Sequence, residues 1–200
     1  MLAFATGCSK SRLADNLDAT WTNQPSDIEL SQPLKAMDAE IYTIRVQNYY
    51  EFDEEKGDSG DVEVEAFITL DIALPQNTDS ITQPLYESLA ATAEIDGYFT
   101  VDSSDRITIT YNPSTFKMKI DPAGRLDQIN YLSQGNVVEA TNVSNVYRTA
   151  IQSAVQSHVC EQMTSLTELR DIKFTDSNMQ LEGQNGAQTI RLSKVVEPNK

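Results

Sequence analysis

The chain has 200 residues, 40% of them hydrophobic and 22% charged, with 8 Gly and 7 Pro. That is the composition of one globular domain, long enough to bury roughly 70% of its unfolded surface and to fold without disulfides or a metal. Fifteen Lys and Arg stand against 30 Asp and Glu, a net charge of −15. This balance argues against nucleic-acid binding, which rests on cation–phosphate pairing, and no apolar run of about 18 residues offers a bilayer-spanning helix.

The chain opens Met1-Leu2-Ala3-Phe4-Ala5-Thr6-Gly7-Cys8. Leu2 to Ala5 are apolar, and small residues lead up to the cysteine. A secretory signal joins a basic start, an apolar stretch of about 7–15 residues and a small-residue cleavage site. Here the apolar stretch is short and no cation precedes it, so the expectation is a start lying upstream or a trimmed segment. Ala5-Thr6-Gly7-Cys8 resembles the bacterial lipobox, with Ala5 where that motif prefers Leu; the competing reading is a chance Gly-Cys. The resemblance implies that residues 1–8 are a truncated lipoprotein signal and that the Cys8 thiol takes a diacylglycerol. Each buried lipid CH₂ would contribute about 0.8 kcal/mol, so several chains anchor stably. Residues 9–33 read as a polar tether and first-strand region. Ser9-Lys10-Ser11-Arg12 lacks the acidic run that resembles surface-export signals, so an outer-membrane lipoprotein facing the periplasm is expected. With Cys8 lipidated only Cys160 remains, and no intramolecular disulfide is available.

Residues 34–196 read as a single domain. Between 36 and 120 the dominant period is two. Ile41 to Tyr50 is β-branched and aromatic, Glu54 to Asp61 is a charged turn with Gly57 and Gly60, and Val62 to Ile72 alternates strictly, so a hairpin is predicted. Pro75 to Gln83 reads as loop and Pro84 to Ala93 as a short helix. Glu94 to Val101, Arg106 to Tyr111 and Thr115 to Ile120 read as strands, ended by Asp121-Pro122-Ala123-Gly124. From about 142 to 165 the apolar residues shift to helical spacing, with Val143, Val146, Tyr147, Ala150, Ile151, Ala154, Val155 and Val159 along one face. Three strands follow, around Ile172–Phe174, Met179–Leu181 and Ile190–Val195, the last two separated by Gly183-Gln184-Asn185-Gly186. The fold class is therefore mainly β with one long helix inserted before the last three strands. Antiparallel strands in this number close best into a barrel or a strongly curled sheet.

Asp18-Ala19-Thr20-Trp21-Thr22 looks like the first-strand Gly-x-Trp signal of lipocalin-like domains, with Ala19 replacing Gly. Ile95 to Val101 followed by Arg106 to Tyr111 resembles the Gly-Thr-Trp hairpin of lipocalin-like lipoproteins, with Tyr98-Phe99 where Thr-Trp is usual; Leu169 to Val195 resembles their closing strands. This likeness implies a calycin-type barrel anchored in the envelope of a Gram-negative anaerobe. Asp79-Ser80-Ile81 is similar to the short O-glycosylation sequon of such bacteria, and Asn142-Val143-Ser144 fits the N-glycosylation pattern.

The chemistry of catalysis is sparse. His158 is the single histidine, and Cys160, two residues on, points about 200° away around the helix, so they do not pair. One His and one Cys fall short of a zinc set, and no phosphate loop is present. The acids from Asp53 to Glu65 lack a calcium-loop frame and read as a solvated turn. No catalytic residue, metal or cofactor is assigned. The aromatics carry the binding expectation: Tyr42, Tyr49, Phe67, Tyr98 and Tyr111 are placed at a barrel mouth holding a small apolar or sugar ligand. Tyr49 and Tyr50, being adjacent, must face opposite sides. The leading expectation is a non-catalytic envelope lipoprotein that binds a small ligand or a partner protein. The alternatives are an accessory subunit of a surface complex and a carboxylate-dependent carbohydrate-active enzyme.

Overall fold

The computed structural model describes residues 7–55, 57–74, 84–121, 145–182 and 189–195. Helix α1 (Gly7–Leu17) leads into the short strands β1 (Ala19–Thr22), β2 (Ser26–Asp27) and β3 (Leu34–Ala36). Three long strands follow, β4 (Ala39–Glu54), β5 (Ser59–Leu74) and β6 (Leu85–Ser103), then β7 (Arg106–Tyr111) and β8 (Lys117–Ile120). Helix α2 (Asn145–Met163) precedes β9 (Glu168–Phe174), β10 (Asn178–Glu182) and β11 (Thr189–Lys194).

All pairings are antiparallel, and the order β1-β11-β10-β9-β7-β6-β5-β4 closes on itself because β1 pairs with both β11 and β4. The expectation of a barrel or a curled sheet thus resolves to a closed eight-stranded barrel. Closure uses only part of the long strands. β1 meets β4 from Tyr49 to Phe52, and β7 meets β6 from Gly97 to Ser103. Toward their other ends the same three strands run on as an open sheet, edged by β2 and β3 on one side and β8 on the other. Sixteen residues at about 3.3 Å each make β4 and β5 roughly 50 Å long, far beyond an average strand. Buried positions alternate with more exposed ones along β5 as far as Ile72, and its ladder with β6 keeps one register throughout, while that with β4 shifts once between Ile41 and Thr43.

The hairpin joining β4 to β5 depends on two glycines. Gly57 takes φ 66°, a left-handed conformation that other residues resist. Gly60 sits against the opposite strand so closely that a Cβ would lie 2.0 Å from the Asp53 carbonyl oxygen and 2.8 Å from Phe99 Cε1.

The interior is one continuous apolar cluster. Trp21, Tyr50, Phe52, Ile95, Phe99 and Ile107 fill the closed part, with Phe52 and Phe99 meeting edge to face at 5.5 Å between centroids. Each such side chain contributes about 1.5–3 kcal/mol on burial. α2 packs on β3, β4 and β8 through Ile151, Val155, Val159 and Met163, one residue per turn. It therefore covers the open sheet, where closure does not hide the apolar face.

Two sequence expectations change here. Pro84 to Ala93 is read above as a short helix, but Leu85 onward belongs to β6. Leu89, Ala91, Ala93 and Ile95 are buried at alternate positions, and β5 pairs with this stretch without interruption, so ladder and burial override the helical preference of its alanines. Residues 9–33, read above as a polar tether and first-strand region, hold β1 and, in place of a tether, most of α1. Leu13, Ala14 and Leu17 are buried at helical spacing, and Trp21 donates its indole N–H to the Leu17 carbonyl at 2.9 Å. The long helix spans Asn145–Met163, and its expected first residues 142–144 lie outside the described residues, as do both glycosylation patterns, Pro122–Gly124 and the turn at 183–186.

Candidate functional site

Strand alternation sorts the aromatics into two populations. On β4, Tyr50 and Phe52 point inward and are fully buried, whereas Tyr42 and Tyr49 point outward. Phe67 on β5 is outward and 53% exposed, and Tyr98 on β6 is outward and 41% exposed. Of the five residues placed by sequence at the barrel mouth, four therefore stand on the outer surface. Tyr111 alone turns in, and its hydroxyl donates to the Leu166 carbonyl at 3.0 Å, tying β7 to the segment after α2. Burial first, and Tyr50 second, push the Tyr111 phenol far above its ordinary range, so it stays neutral.

The outer residues form two groups. Tyr49 and Phe67 meet edge to face at 5.4 Å, as diagonal neighbours of β4 and β5. Tyr42 lies farther along β4 and pairs with Tyr86 at 6.2 Å. The Tyr42 hydroxyl donates to Glu40 at 2.5 Å, and Glu40 also holds Lys35; Lys35 first and Tyr42 second lower the Glu40 carboxyl, while the bond to Glu40 raises the Tyr42 phenol.

What surrounds the Tyr49–Phe67 pair is anionic. Cross-strand register sets Tyr49, Glu65, Glu94 and Lys117 in one outer row, then Glu51, Glu63 and Asp96 in the next, then Asp53, Asp61 and Tyr98. Lys117 compensates Glu94 at 2.6 Å. Glu63 sits in the centre with carboxylates on both neighbouring strands. Burial raises its pKa first, and Glu65, Asp96, Glu51 and Glu94 raise it further. Like charges directly opposite one another cost stability in a sheet, so this face carries a local penalty that alternation alone does not demand. Beyond the hairpin, Glu54 is raised by partial burial and by a hydrogen bond with Asp15 of α1, against a lowering contribution from the Gly57 backbone.

The face can attract cationic groups, and its rings can pack against an apolar or aromatic side chain. Among the described residues no group of three or more His, Cys, Asp or Glu side chains converges as metal ligands do. Cys160 is half-buried on α2, and that burial raises its thiol pKa, so its nucleophilic thiolate is disfavoured. His158 is also half-buried on α2.

Sequence reasoning missed Asn48. It is the single buried polar side chain among the described residues, inward on β4 between Val46 and Tyr50. Its Nδ2 donates to the Tyr50 hydroxyl at 3.0 Å, while Oδ1 has no partner. The available signal was a polar residue at an inward step of an otherwise apolar alternation. No protein-family model matches the chain, and no curated protein matches it either.

Proposed function

We propose that the protein is a non-catalytic envelope lipoprotein of lipocalin-like build that works by binding, docking a partner protein on the outer face of β4, β5 and β6. The observation that carries this reading is the exposed Tyr49–Phe67 ring pair set beside the carboxylate rows centred on Glu63. Aromatic anchors inside a charged rim are the usual anatomy of a protein interface. A partner with a basic rim would relieve the like-charge penalty and cover the rings in the same step. The dense apolar interior supports an exterior site, because bulky side chains occupy the closed part of the barrel.

Cys8 is the anchor in this reading, with the barrel on the outer membrane and facing the periplasm. Cys8 stands on the first turn of α1, and Leu13 is already buried. Five helical residues span only about 7 Å, so a lipid on Cys8 would hold the barrel close against the bilayer.

Two measurements test the proposal in cells that produce the natural chain. Cys8→Ala should abolish labelling by a radioactive fatty acid and release the protein from membranes; unchanged membrane association rejects the anchor. A photo-crosslinker at Thr92, in the outer row of Phe67, should capture a defined partner, and Phe67→Ala should abolish that capture. Equal capture from Gln180, exposed on β10, or survival of capture in Phe67→Ala, rejects the docking face.

A further inference from the structure

We infer that the inner face of the barrel carries a binding site for a hydroxyl group at Asn48, independent of the outer docking face. The Asn48 side chain is 1% exposed, and one end of its carboxamide lacks a partner. Exchanging the amide oxygen and nitrogen does not remove the problem, because Tyr50 then takes the oxygen and the nitrogen is left bare. Nor can the residue easily swing away. Its backbone N–H donates to the Asn23 side-chain oxygen at 2.7 Å, and its carbonyl accepts from the Thr22 hydroxyl at 2.9 Å and the Asn23 N–H at 3.3 Å. The main chain at this point is pinned by the strand that closes the barrel, so the side chain is committed to the interior.

The nearest positions in this row carry small side chains. Asn48, Ala66 and Ala93 stand side by side across β4, β5 and β6, whereas the flanking inner rows are Val46, Ile68 and Ala91, and Tyr50, Val64 and Ile95. The row therefore sets two small side chains, and then Met118 of β8, beside an amide with one end unsatisfied. Tyr50 supplies the second group: its hydroxyl accepts from Asn48, and among the described residues no acceptor takes its proton. Burial pushes the Tyr50 phenol up to about 12, so at neutral pH it remains a donor.

These groups define the guest. It must donate to the Asn48 oxygen and accept from the Tyr50 hydroxyl, and a single neutral hydroxyl does both. A carboxylate offers only acceptors and brings a charge that no buried cation among the described residues meets; an ammonium offers only donors. The hydroxyl belongs either to a trapped water or to a small alcohol-like molecule whose apolar part lies along Ala66 and Ala93.

The test is a crystal structure of the purified natural chain at a resolution that shows waters, with mass spectrometry of an organic extract of the same sample. The expected result is density about 2.6–3.2 Å from both the Asn48 amide and the Tyr50 hydroxyl. An isolated peak identifies water, and density continuing into a tail with a matching extracted mass identifies the alcohol; no density overturns the inference. Asn48→Leu provides a second arm: it should abolish both the density and the extracted mass, and density that persists in this variant overturns the inference. Phe67→Ala should leave the density in place, which separates this site from the docking face.

Discussion

Neutralising Glu63 should make the protein more stable, although the change removes a charge from a strand that is otherwise well formed. Glu63 faces Glu51 on one side and Asp96 on the other in direct register, with Glu65 and Glu94 also raising its pKa. Each directly opposed like-charge pair costs about 0.2–1 kcal/mol. Two such pairs sum to about 0.4–2 kcal/mol, and because Glu63 is exposed, solvent screening places that sum in its lower half, about 0.5–1 kcal/mol. For a chain of this length, Glu63→Gln should therefore raise the melting temperature by about 1–4 °C at pH 7 and low ionic strength. The folded-state pKa is raised, so the favourable difference is present below the unfolded value of 4.5 and is lost as pH rises through the folded value. Wild type then regains stability at this site on acidification, and the advantage of Glu63→Gln should shrink toward zero below pH 4.5. It should also shrink in 1 M salt, where the screening length falls to about 3 Å. Calorimetry across pH and salt reads all three effects. A variant less stable than wild type at pH 7, or an advantage that survives at pH 4 and in high salt, refutes the account of the face as electrostatically opposed.

Gly60→Ala should destabilise by about 3–5 kcal/mol or prevent folding, because the new Cβ meets backbone at 2.0 Å and cannot be relieved by a rotamer change; a urea midpoint near wild type would show that the hairpin pairs differently. Leu17→Ala should cost about 2–5 kcal/mol in urea unfolding, since α1 is held by Leu13, Ala14 and Leu17 in the common core, and a loss below 0.5 kcal/mol would show α1 to be an appendage. Tyr111→Phe removes the hydrogen bond to the Leu166 carbonyl and should cost about 1–3 kcal/mol in the same assay, with faster amide exchange in β9.

Much of the architecture was legible because alternation is a local property. Val62 to Ile72 announces a strand with one buried face whatever it pairs with, and the shift to helical spacing after residue 142 announces α2. The short helix expected at Pro84–Ala93 fails for a reason that no local pattern carries. Leu-Tyr-Glu-Ser-Leu-Ala-Ala-Thr-Ala satisfies both periods weakly, and only β5 lying alongside decides for a strand. The role of residues 9–33 was hidden in the same way. Trp21 marks a first strand, but that β1 pairs with both β4 and β11 depends on residues far apart in sequence.

The aromatics show where the boundary between the two kinds of information lies. From Tyr49 and Tyr50 as neighbours, one knows that one must turn in and the other out, because consecutive side chains on a strand oppose each other. Which of them turns in is set by register. Tyr50 stands in a row with Trp21, Val64 and Ile95, and Tyr49 in a row with Thr22, Glu65 and Glu94. The acidic composition is likewise plain from the chain, yet its concentration on one face around Phe67 arises only when three strands align. Period, charge and element type are properties of neighbouring residues and so belong to the sequence. Closure, facing and the isolation of the Asn48 amide are properties of pairings between distant segments, and only the packed structure decides them.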